Sequence, residues 1–165
     1  MKLYPDSYLS NVRQITIEYL ERNNIKAVIL DVDNTLIDFY RNIPEGTIEW
    51  CENLKSRGIK FCILSNSNKK EKVENVANKL GIHYFYFGKK PLKTGFKKAI
   101  EYLQEKNENI AVVGDQIFTD IIGANRCKLF SILVEPIEEK DILITRIKRP
   151  FENMIIKSYK NQKKK

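Results

Sequence analysis

Acidic side chains follow two apolar runs of the sequence, and their types and spacing suit the binding of a divalent cation. Asp31 and Asp33 come directly after the apolar run 26–30 and are separated by one residue, and Asp115 follows the run 110–113. Carboxylates that are brought close together repel one another strongly unless a cation lies among them. Ligation by oxygen atoms alone favours Mg²⁺, which keeps several waters and shares the oxygens of a substrate phosphate. The sequence therefore predicts a magnesium site that involves these three residues.

Further polar residues follow other apolar runs and suit the binding of a phosphoryl group. Ser65 and Asn66 come directly after the run 60–64, and Lys90 lies shortly after the next run. The transfer of a phosphoryl group requires mainly positioning and charge stabilisation. These needs are met by a metal ion together with a hydroxyl, turn amides and a fixed positive charge. Lys93 lies three residues after Lys90 and is the rival candidate for the same role.

The elements that must position these residues follow from the hydrophobic pattern. From residue 26 onward, apolar runs typical of buried strands alternate with amphipathic helical patterns. This alternation predicts right-handed βαβ crossovers and a mostly parallel sheet, in which ligands bind beyond the carboxyl ends of the strands. We therefore expect the polar residues to meet at one sheet edge. The predicted strands are 26–30, 60–64, 83–87, 110–113 and 130–134, and the predicted helices lie between Pro44 and Gly58, before Gly81, around 96–103 and at 121–126.

Three segments are expected along the chain. Residues 1–25 are predicted to form an N-terminal amphipathic helix packed on the core, because apolar and bulky residues recur there at helical spacing. Residues 26–140 form the predicted core, and residues 141–165 form a basic C-terminal helical extension or tail. The residues of the helical pattern in the first segment are Leu9, Val12, Thr16, Tyr19 and Leu20.

The motifs resemble, in their order, those of the haloacid dehalogenase superfamily of phosphohydrolases. They are DVDNT at 31–35, Ser65, Lys90 and GDQIFTD at 114–120. The likeness extends to LSNSN, to KKP with a following Phe96, and to GANR at 123–126, and this wider set is similar to the YqeG-like IIIA-type branch, which is related to mitochondrial phosphatidylglycerophosphatase. The resemblance covers roughly residues 26–135 and implies a single Rossmann-like, three-layer α/β/α domain.

The resemblance also implies how the acidic motif residues act. Asp31 would be the nucleophile that forms an aspartyl-phosphate intermediate. Asp33 would be the general acid and base, which protonates the leaving alkoxide and later activates water. Mg²⁺ would be held by Asp31, by the backbone carbonyl of Asp33 and by Asp115. The implied activity is Mg²⁺-dependent hydrolysis of a phosphomonoester.

The same resemblance implies roles for the residues around this centre. Ser65, Asn66 and Lys90 would bind the phosphoryl oxygens. Lys90 would also reduce the repulsion between the nucleophile and the substrate. Asp120 and Thr35 would lie just outside the ligand shell of the metal.

The spacing of the motifs leaves no room for the cap domain that many members of the superfamily carry. Asp33 and Ser65 are 32 positions apart, and Ser65 and Lys90 are 25 positions apart, lengths that the predicted helices, strands and loops already fill. An uncapped site admits bulky substrates such as a phosphorylated lipid head group, a nucleic-acid end or a phosphoprotein. Residues 39–44 are long enough for a small flap over the site.

Basic residues are concentrated at the C-terminus. Residues 146–165 carry eight lysines and arginines against Glu152, which accounts for seven of the eight net positive charges of the chain. Such a segment suits an anionic partner, either lipid or nucleic acid. Apolar residues among these charges favour lipid slightly. They are Ile142, Leu143, Ile147, Phe151, Met154, Ile155 and Ile156.

The leading hypothesis is a phosphatidylglycerophosphate phosphatase of phospholipid synthesis that acts at an anionic membrane. The alternatives are a nucleic-acid-associated or ribosome-associated protein, and a phosphatase of nucleic acids or small metabolites. Three cysteines at wide spacing predict reduced thiols, and charged residues within the first twenty positions predict no signal peptide. We therefore expect a cytoplasmic protein, peripheral on the inner face of the membrane.

Overall fold

The structure, a computed structural model, describes residues 1–138 and 143–164, and of residues 143–148 it describes the backbone only. The predicted boundary at residue 141 lies outside the described residues, as do Ile142 and Lys165. The side chains of the basic residues Arg146 and Lys148 lie outside them as well.

A parallel β-sheet forms the centre of the fold. Within the described residues it has six strands in the order β1-β6-β5-β2-β3-β4, and every neighbouring pair is parallel. The predicted α/β class with a mostly parallel sheet is therefore confirmed. The strands are β1 (Ser7–Leu9), β2 (Ala27–Leu30), β3 (Lys60–Leu64), β4 (His83–Phe85), β5 (Ile110–Gly114) and β6 (Phe130–Val134).

Helices cover both faces of this sheet, because alternate residues of the central strands point to opposite sides. Val28 and Leu30 of β2 pack in the same apolar cluster as the first three helices, whereas Ala27 and Ile29 pack in the cluster of the fourth and fifth. The result is the expected three-layer α/β/α arrangement. The helices are α1 (Ile17–Arg22), α2 (Thr47–Ser56), α3 (Lys70–Leu80), α4 (Lys93–Leu103), α5 (Ile122–Arg126) and α6 (Leu143–Lys163).

The N-terminal segment differs from the single amphipathic helix predicted there. Leu9 belongs to β1, which pairs with β6, and Val12 lies in a short 3₁₀ turn. The helix α1 begins only after Thr16, whose hydroxyl accepts a hydrogen bond from the amide of Tyr19 and so caps the helix. The prediction of one helix was wrong because the partner of β1 lies more than a hundred residues away in the sequence.

The fourth strand is shorter than the predicted run 83–87. It ends at Phe85, and the chain turns at Phe87, which has a positive φ of 51°. The amide of Phe87 donates a hydrogen bond of 2.8 Å to the carbonyl of Ser67 instead of continuing the ladder with β3. This early turn directs the following loop towards the carboxyl edge of the sheet.

The C-terminal helix α6 packs against the body of the protein. Ile155 and Ile156 are partly buried against an apolar cluster that includes Ile117 and Leu133, and Tyr159 is buried. The outer face of α6 carries exposed Phe151 and Met154. Among the helices that the structure describes, none combines the length and the apolar character needed to cross a bilayer.

Candidate active site

Three carboxylates meet at the carboxyl edge of the central strands. Asp31 directly follows β2 and Asp115 directly follows the neighbouring β5, and the amide of Asp31 donates a hydrogen bond of 3.0 Å to Val113. Asp120 lies in a π-helical turn after β5 and is fully buried. Oxygen atoms of the three side chains all lie within 4.8 Å of one another. The sheet topology therefore brings together two motifs that are more than eighty residues apart.

Lys90, and not Lys93, contacts this acidic cluster. Its ammonium group donates hydrogen bonds of 2.8 Å to Asp31 and 2.6 Å to Asp120, and its side chain is 3% exposed. Lys93 begins α4 and is exposed to solvent. Of the two candidate lysines, Lys90 is therefore the one that the fold places at the site.

The backbone of Lys90 is held by the side chain of Asn66. The Asn66 amide donates to the Lys90 carbonyl at 3.0 Å and accepts from the Lys90 amide at 2.6 Å. Both polar atoms of this side chain are thus engaged by the protein, which makes Asn66 a positioning residue for Lys90; the predicted contact of Asn66 with phosphate remains a prediction. The adjacent Ser65 is buried at the end of β3, and its hydroxyl accepts a hydrogen bond of 3.1 Å from the amide of Ser67.

Gly114 makes room for the buried carboxylate of Asp120. A Cβ atom at position 114 would lie 2.1 Å from Asp120 Oδ2, so any larger residue there would displace this side chain. The same oxygen accepts a hydrogen bond of 3.2 Å from the amide of Gln116. The glycine of the GDQIFTD motif is therefore required by close packing within the site.

Asp33 and Thr35 lie on different sides of the loop after β2. The Asp33 side chain is 51% exposed and accepts hydrogen bonds of 2.7 and 2.9 Å from Lys72 of α3. The Thr35 hydroxyl is buried and donates to Asp115 Oδ1 at 3.4 Å. The structure thus brings Thr35 to the acidic cluster, whereas the Asp33 carboxylate lies at its solvent-facing rim.

Sequence reasoning missed two cations of the site, Lys72 and Arg149. Arg149 of α6 donates hydrogen bonds of 2.9 Å both to the backbone carbonyl and to Oδ2 of Asp115. The sequence offers no local signal for this contact, because Arg149 is one of many basic residues in its segment. Lys72 could have been noticed from its place in the first turn of the helix that follows LSNSN.

Burial and mutual repulsion shift the ionisation of the cluster. Burial, followed by repulsion from Asp120, raises the pKa of Asp31 to about 7, although Lys90 opposes the shift. Burial and repulsion from Asp31 raise the pKa of Asp115 well above its ordinary value, against the effect of Arg149. Burial alone would lower the pKa of Lys90, but Asp120 and Asp31 outweigh it and raise the pKa.

The cluster fits a hard divalent cation. Its carboxylate oxygens are the ligands that Mg²⁺ prefers, and their spacing lets them contact one ion. The raised pKa values of Asp31 and Asp115 show that the neighbouring cations do not fully offset the buried negative charge. A divalent ion would supply the missing compensation.

Replacing Lys90 with methionine is expected to destabilise the protein by about 3–5 kcal/mol, because it leaves two buried carboxylates without their shared partner. Lys93→Met, at the exposed rival position, should change the free energy of unfolding by less than about 0.5 kcal/mol. Urea denaturation of both variants without metal checks the difference. Equal stabilities would contradict the central position of Lys90.

The site carries no cap domain in the part of the chain between its motifs. Within residues 1–138, the segments that join Asp33 to Ser65 and Ser65 to Lys90 contain one helix and one strand each, with no inserted cap domain. The side chains of Phe39 and Tyr40, in the loop after β2, are 63% and 65% exposed. The predicted flap at 39–44 is therefore a short surface loop with an aromatic tip.

Four sequence motifs thus converge at the carboxyl edge of an uncapped parallel α/β domain, an arrangement that defines a phosphatase of the haloacid dehalogenase superfamily. The family model described as mitochondrial PGP phosphatase matches residues 1–138, and the chain belongs to this family.

Individual relatives agree with this assignment. The chain is 38% identical over 159 residues to "Probable phosphatase YqeG" of Bacillus subtilis, with 96% of this chain and 92% of that protein covered. It is 26% identical over 159 residues to "Phosphatidylglycerophosphate phosphatase 1, chloroplastic/mitochondrial" of Arabidopsis thaliana, covering 88% of this chain and 45% of that protein. An uncharacterized protein from Listeria monocytogenes shares the fold, with a TM-score of 0.56, 24% identity, and coverage of 72% of this chain and 86% of that chain.

Proposed function

We propose that this phosphatase hydrolyses the phosphomonoester of phosphatidylglycerophosphate at an anionic membrane surface, with Mg²⁺ as its cofactor. The observation that carries the chemistry is the buried contact of 2.8 Å between Asp31 and Lys90 at an uncapped sheet edge. The names of the matching family and of the Arabidopsis relative support the lipid substrate. The absence of an inserted cap domain between the motifs is consistent with a phosphate carried on a bulky group.

Asp31 is the proposed nucleophile. One carboxylate oxygen attacks phosphorus, the bond between phosphorus and the ester oxygen breaks, and an aspartyl phosphate forms. Lys90 contacts Asp31 directly and favours its ionised form, which is the form that attacks. When bound, Mg²⁺ supplies positive charge that offsets the phosphoryl oxygens, and Asp31, Asp115 and the backbone carbonyl of Asp33 would hold it.

Asp33 is the proposed general acid and base. It gives its proton to the leaving alkoxide and then takes a proton from the water that attacks the aspartyl phosphate. The second step breaks the bond between phosphorus and Asp31, releases inorganic phosphate and regenerates both carboxyl groups. The exposure of the Asp33 side chain supports this role, because the leaving group must depart towards solvent. Ser65 and Lys90 are the proposed ligands of the phosphoryl oxygens.

The outer face of α6 is the proposed contact with anionic lipid. Ile155 and Ile156 pack against the body of the protein, whereas Phe151 and Met154 are exposed to solvent. Exposed lysines continue this helix beyond them, and each basic residue near an anionic membrane contributes about 1 kcal/mol. The exposed lysines are Lys157, Lys160, Lys163 and Lys164.

A comparison of substrates tests the proposal. Turnover is measured on phosphatidylglycerophosphate in anionic vesicles, on a 5′-phosphorylated oligonucleotide, on sugar phosphates and on p-nitrophenyl phosphate. We expect the lipid to have the highest kcat/KM. A preference for the oligonucleotide without lipid turnover would instead favour the nucleic-acid function that the basic helix also suits.

The membrane contact is tested by changing the four exposed lysines at the end of α6 and directly after it, residues 157, 160, 163 and 164, to glutamine. Vesicle binding and lipid turnover should fall at least about tenfold, since several kcal/mol of attraction are removed. Turnover of soluble p-nitrophenyl phosphate should stay unchanged. A matched control removes four exposed lysines elsewhere and should retain vesicle binding; equal losses in both variants would contradict a specific role of α6. The control positions are Lys97, Lys98, Lys106 and Lys128.

A further inference from the structure

The helix α6 contributes an arginine to the interior of the active site. Arg149 lies at Asp115, its side chain is 15% exposed, and that of Asp115 is fully buried. Arg149 itself lies outside the four motifs and outside residues 1–138, which the family model matches. It therefore joins α6 to the acidic cluster in a way that the family assignment does not describe.

The geometry of the contact fixes the orientation of the Asp115 side chain. Arg149 Nη1 donates to the backbone carbonyl of Asp115, and Nη2 donates to Oδ2 of the same residue, both at 2.9 Å. The other carboxylate oxygen, Oδ1, accepts from the Thr35 hydroxyl at 3.4 Å. Because main chain and side chain are held by one planar guanidinium, rotation of the Asp115 carboxylate is restricted.

Glu152 holds Arg149 in turn. Its side chain is 1% exposed, and its Oε2 lies 3.4 Å from Arg149 Nη1. Its Oε1 accepts a hydrogen bond of 3.1 Å from the amide of Phe118, in the turn between Asp115 and Asp120. The negative charge of Glu152 partly offsets that of Arg149, so the guanidinium can orient Asp115 without acting as an isolated positive charge beside a metal site.

We propose that Arg149 is a positioning residue that holds Asp115 in the orientation required to bind Mg²⁺, which makes α6 part of the metal site. Such partners of metal-binding carboxylates typically change metal affinity by about 10–100-fold when they are removed. The proposal rests on the Mg²⁺-dependent function proposed above. It assigns no proton transfer to Arg149.

Calorimetric titration of the full chain with Mg²⁺, without substrate, measures the effect directly. Arg149→Met should weaken Mg²⁺ binding by about 10–100-fold. Arg149→Lys should restore little of it, because a single ammonium does not reproduce the two-point contact with Asp115. Arg22→Met, at an exposed arginine of α1, is the matched control and should bind Mg²⁺ as the original protein does.

A second variant and a kinetic measurement separate positioning from a loss of folding. Glu152→Gln keeps an acceptor for the Phe118 amide but removes the charge that faces Arg149, and it should weaken Mg²⁺ binding severalfold. Thermal unfolding without metal shows whether each variant is folded. At saturating Mg²⁺, the folded Arg149 variants should regain most of their kcat with unchanged KM for p-nitrophenyl phosphate.

The outcomes distinguish this inference from the proposed function. If the unaltered protein binds no Mg²⁺, the metal-dependent function fails and the inference fails with it. If it binds Mg²⁺ and folded Arg149→Met binds equally well, the positioning role alone is wrong. Tighter binding by Arg149→Met would show that the arginine competes with the metal, which also overturns the inference.

Discussion

Replacing Asp31 with asparagine is expected to lower kcat by at least about 10⁴-fold, an effect of the size seen when a nucleophile is removed. The neutral amide cannot attack phosphorus, and Asp31 is the carboxylate of the cluster that directly follows β2 and contacts Lys90. The measurement is hydrolysis of p-nitrophenyl phosphate at saturating Mg²⁺. Glu108→Gln, at an exposed position, controls for the loss of one negative charge and should leave kcat unchanged. Turnover above a few per cent in the Asp31 variant would contradict the proposed nucleophile.

Asp31→Asn should also reduce the pH dependence of the free energy of unfolding. Burial and repulsion from Asp120 raise the pKa of Asp31 from 3.8 to about 7 in the folded, metal-free protein. Between these values the folded protein binds a proton that the unfolded chain has released, so its stability falls as the pH rises from about 4 to about 7. The shift corresponds to at most about 4 kcal/mol.

Urea denaturation in EDTA at pH 5 and pH 8 measures this dependence. The original protein should be more stable at pH 5 than at pH 8. Asp31→Asn should show a smaller difference, because its amide does not titrate. An equal difference in both proteins would contradict the raised pKa of Asp31.

Removal of the metal is expected to have the second largest effect. EDTA should abolish activity and Mg²⁺ should restore it, whereas Ca²⁺ should inhibit because its larger and looser ligand shell misplaces the phosphoryl group. Removal of a partner outside the ligand shell typically changes metal affinity by about 10–100-fold. Asp115→Asn changes a proposed ligand, so it should raise the Mg²⁺ concentration for half-maximal activity by more than this. Metal-independent hydrolysis would contradict the proposed site.

The strands and helices of the core could be predicted from the sequence because their environments leave a local pattern. Strands of a parallel sheet are buried on both faces, so β2, β3, β5 and β6 appear as largely apolar runs, with Lys60 and Ser131 as the exceptions in β3 and β6. The helices α3 and α4 show apolar residues at helical spacing. By contrast, β1 has three residues, and its assignment depends on hydrogen bonds to a distant strand. Short elements of this kind carry no periodic signal.

The acidic cluster and its lysine could be predicted for a similar reason, since each residue directly follows a predicted strand or lies in a short motif after one. The choice between Lys90 and Lys93 required the structure, because the turn after Phe85 and the contact with Asn66 decide which ammonium reaches Asp31. The contact of Arg149 could not be predicted, because the packing of a distant helix places its side chain. Lys72 lies close enough to LSNSN to be noticed in the sequence, but its contact with Asp33 required the structure. The predicted roles of Asp33 and Ser65 remain to be tested.

The strand β1 lies at one edge of the sheet, where it covers β6. By pairing with β6, residues 7–9 satisfy backbone groups of an apolar strand that would otherwise be exposed. A protein shortened by ten residues would keep every motif of the active site but present β6 as a free edge. The unpaired backbone groups of an apolar edge strand can pair with strands of other molecules, which leads to aggregation. Removing the first ten residues is therefore expected to promote self-association, although none of them lies in a motif of the site.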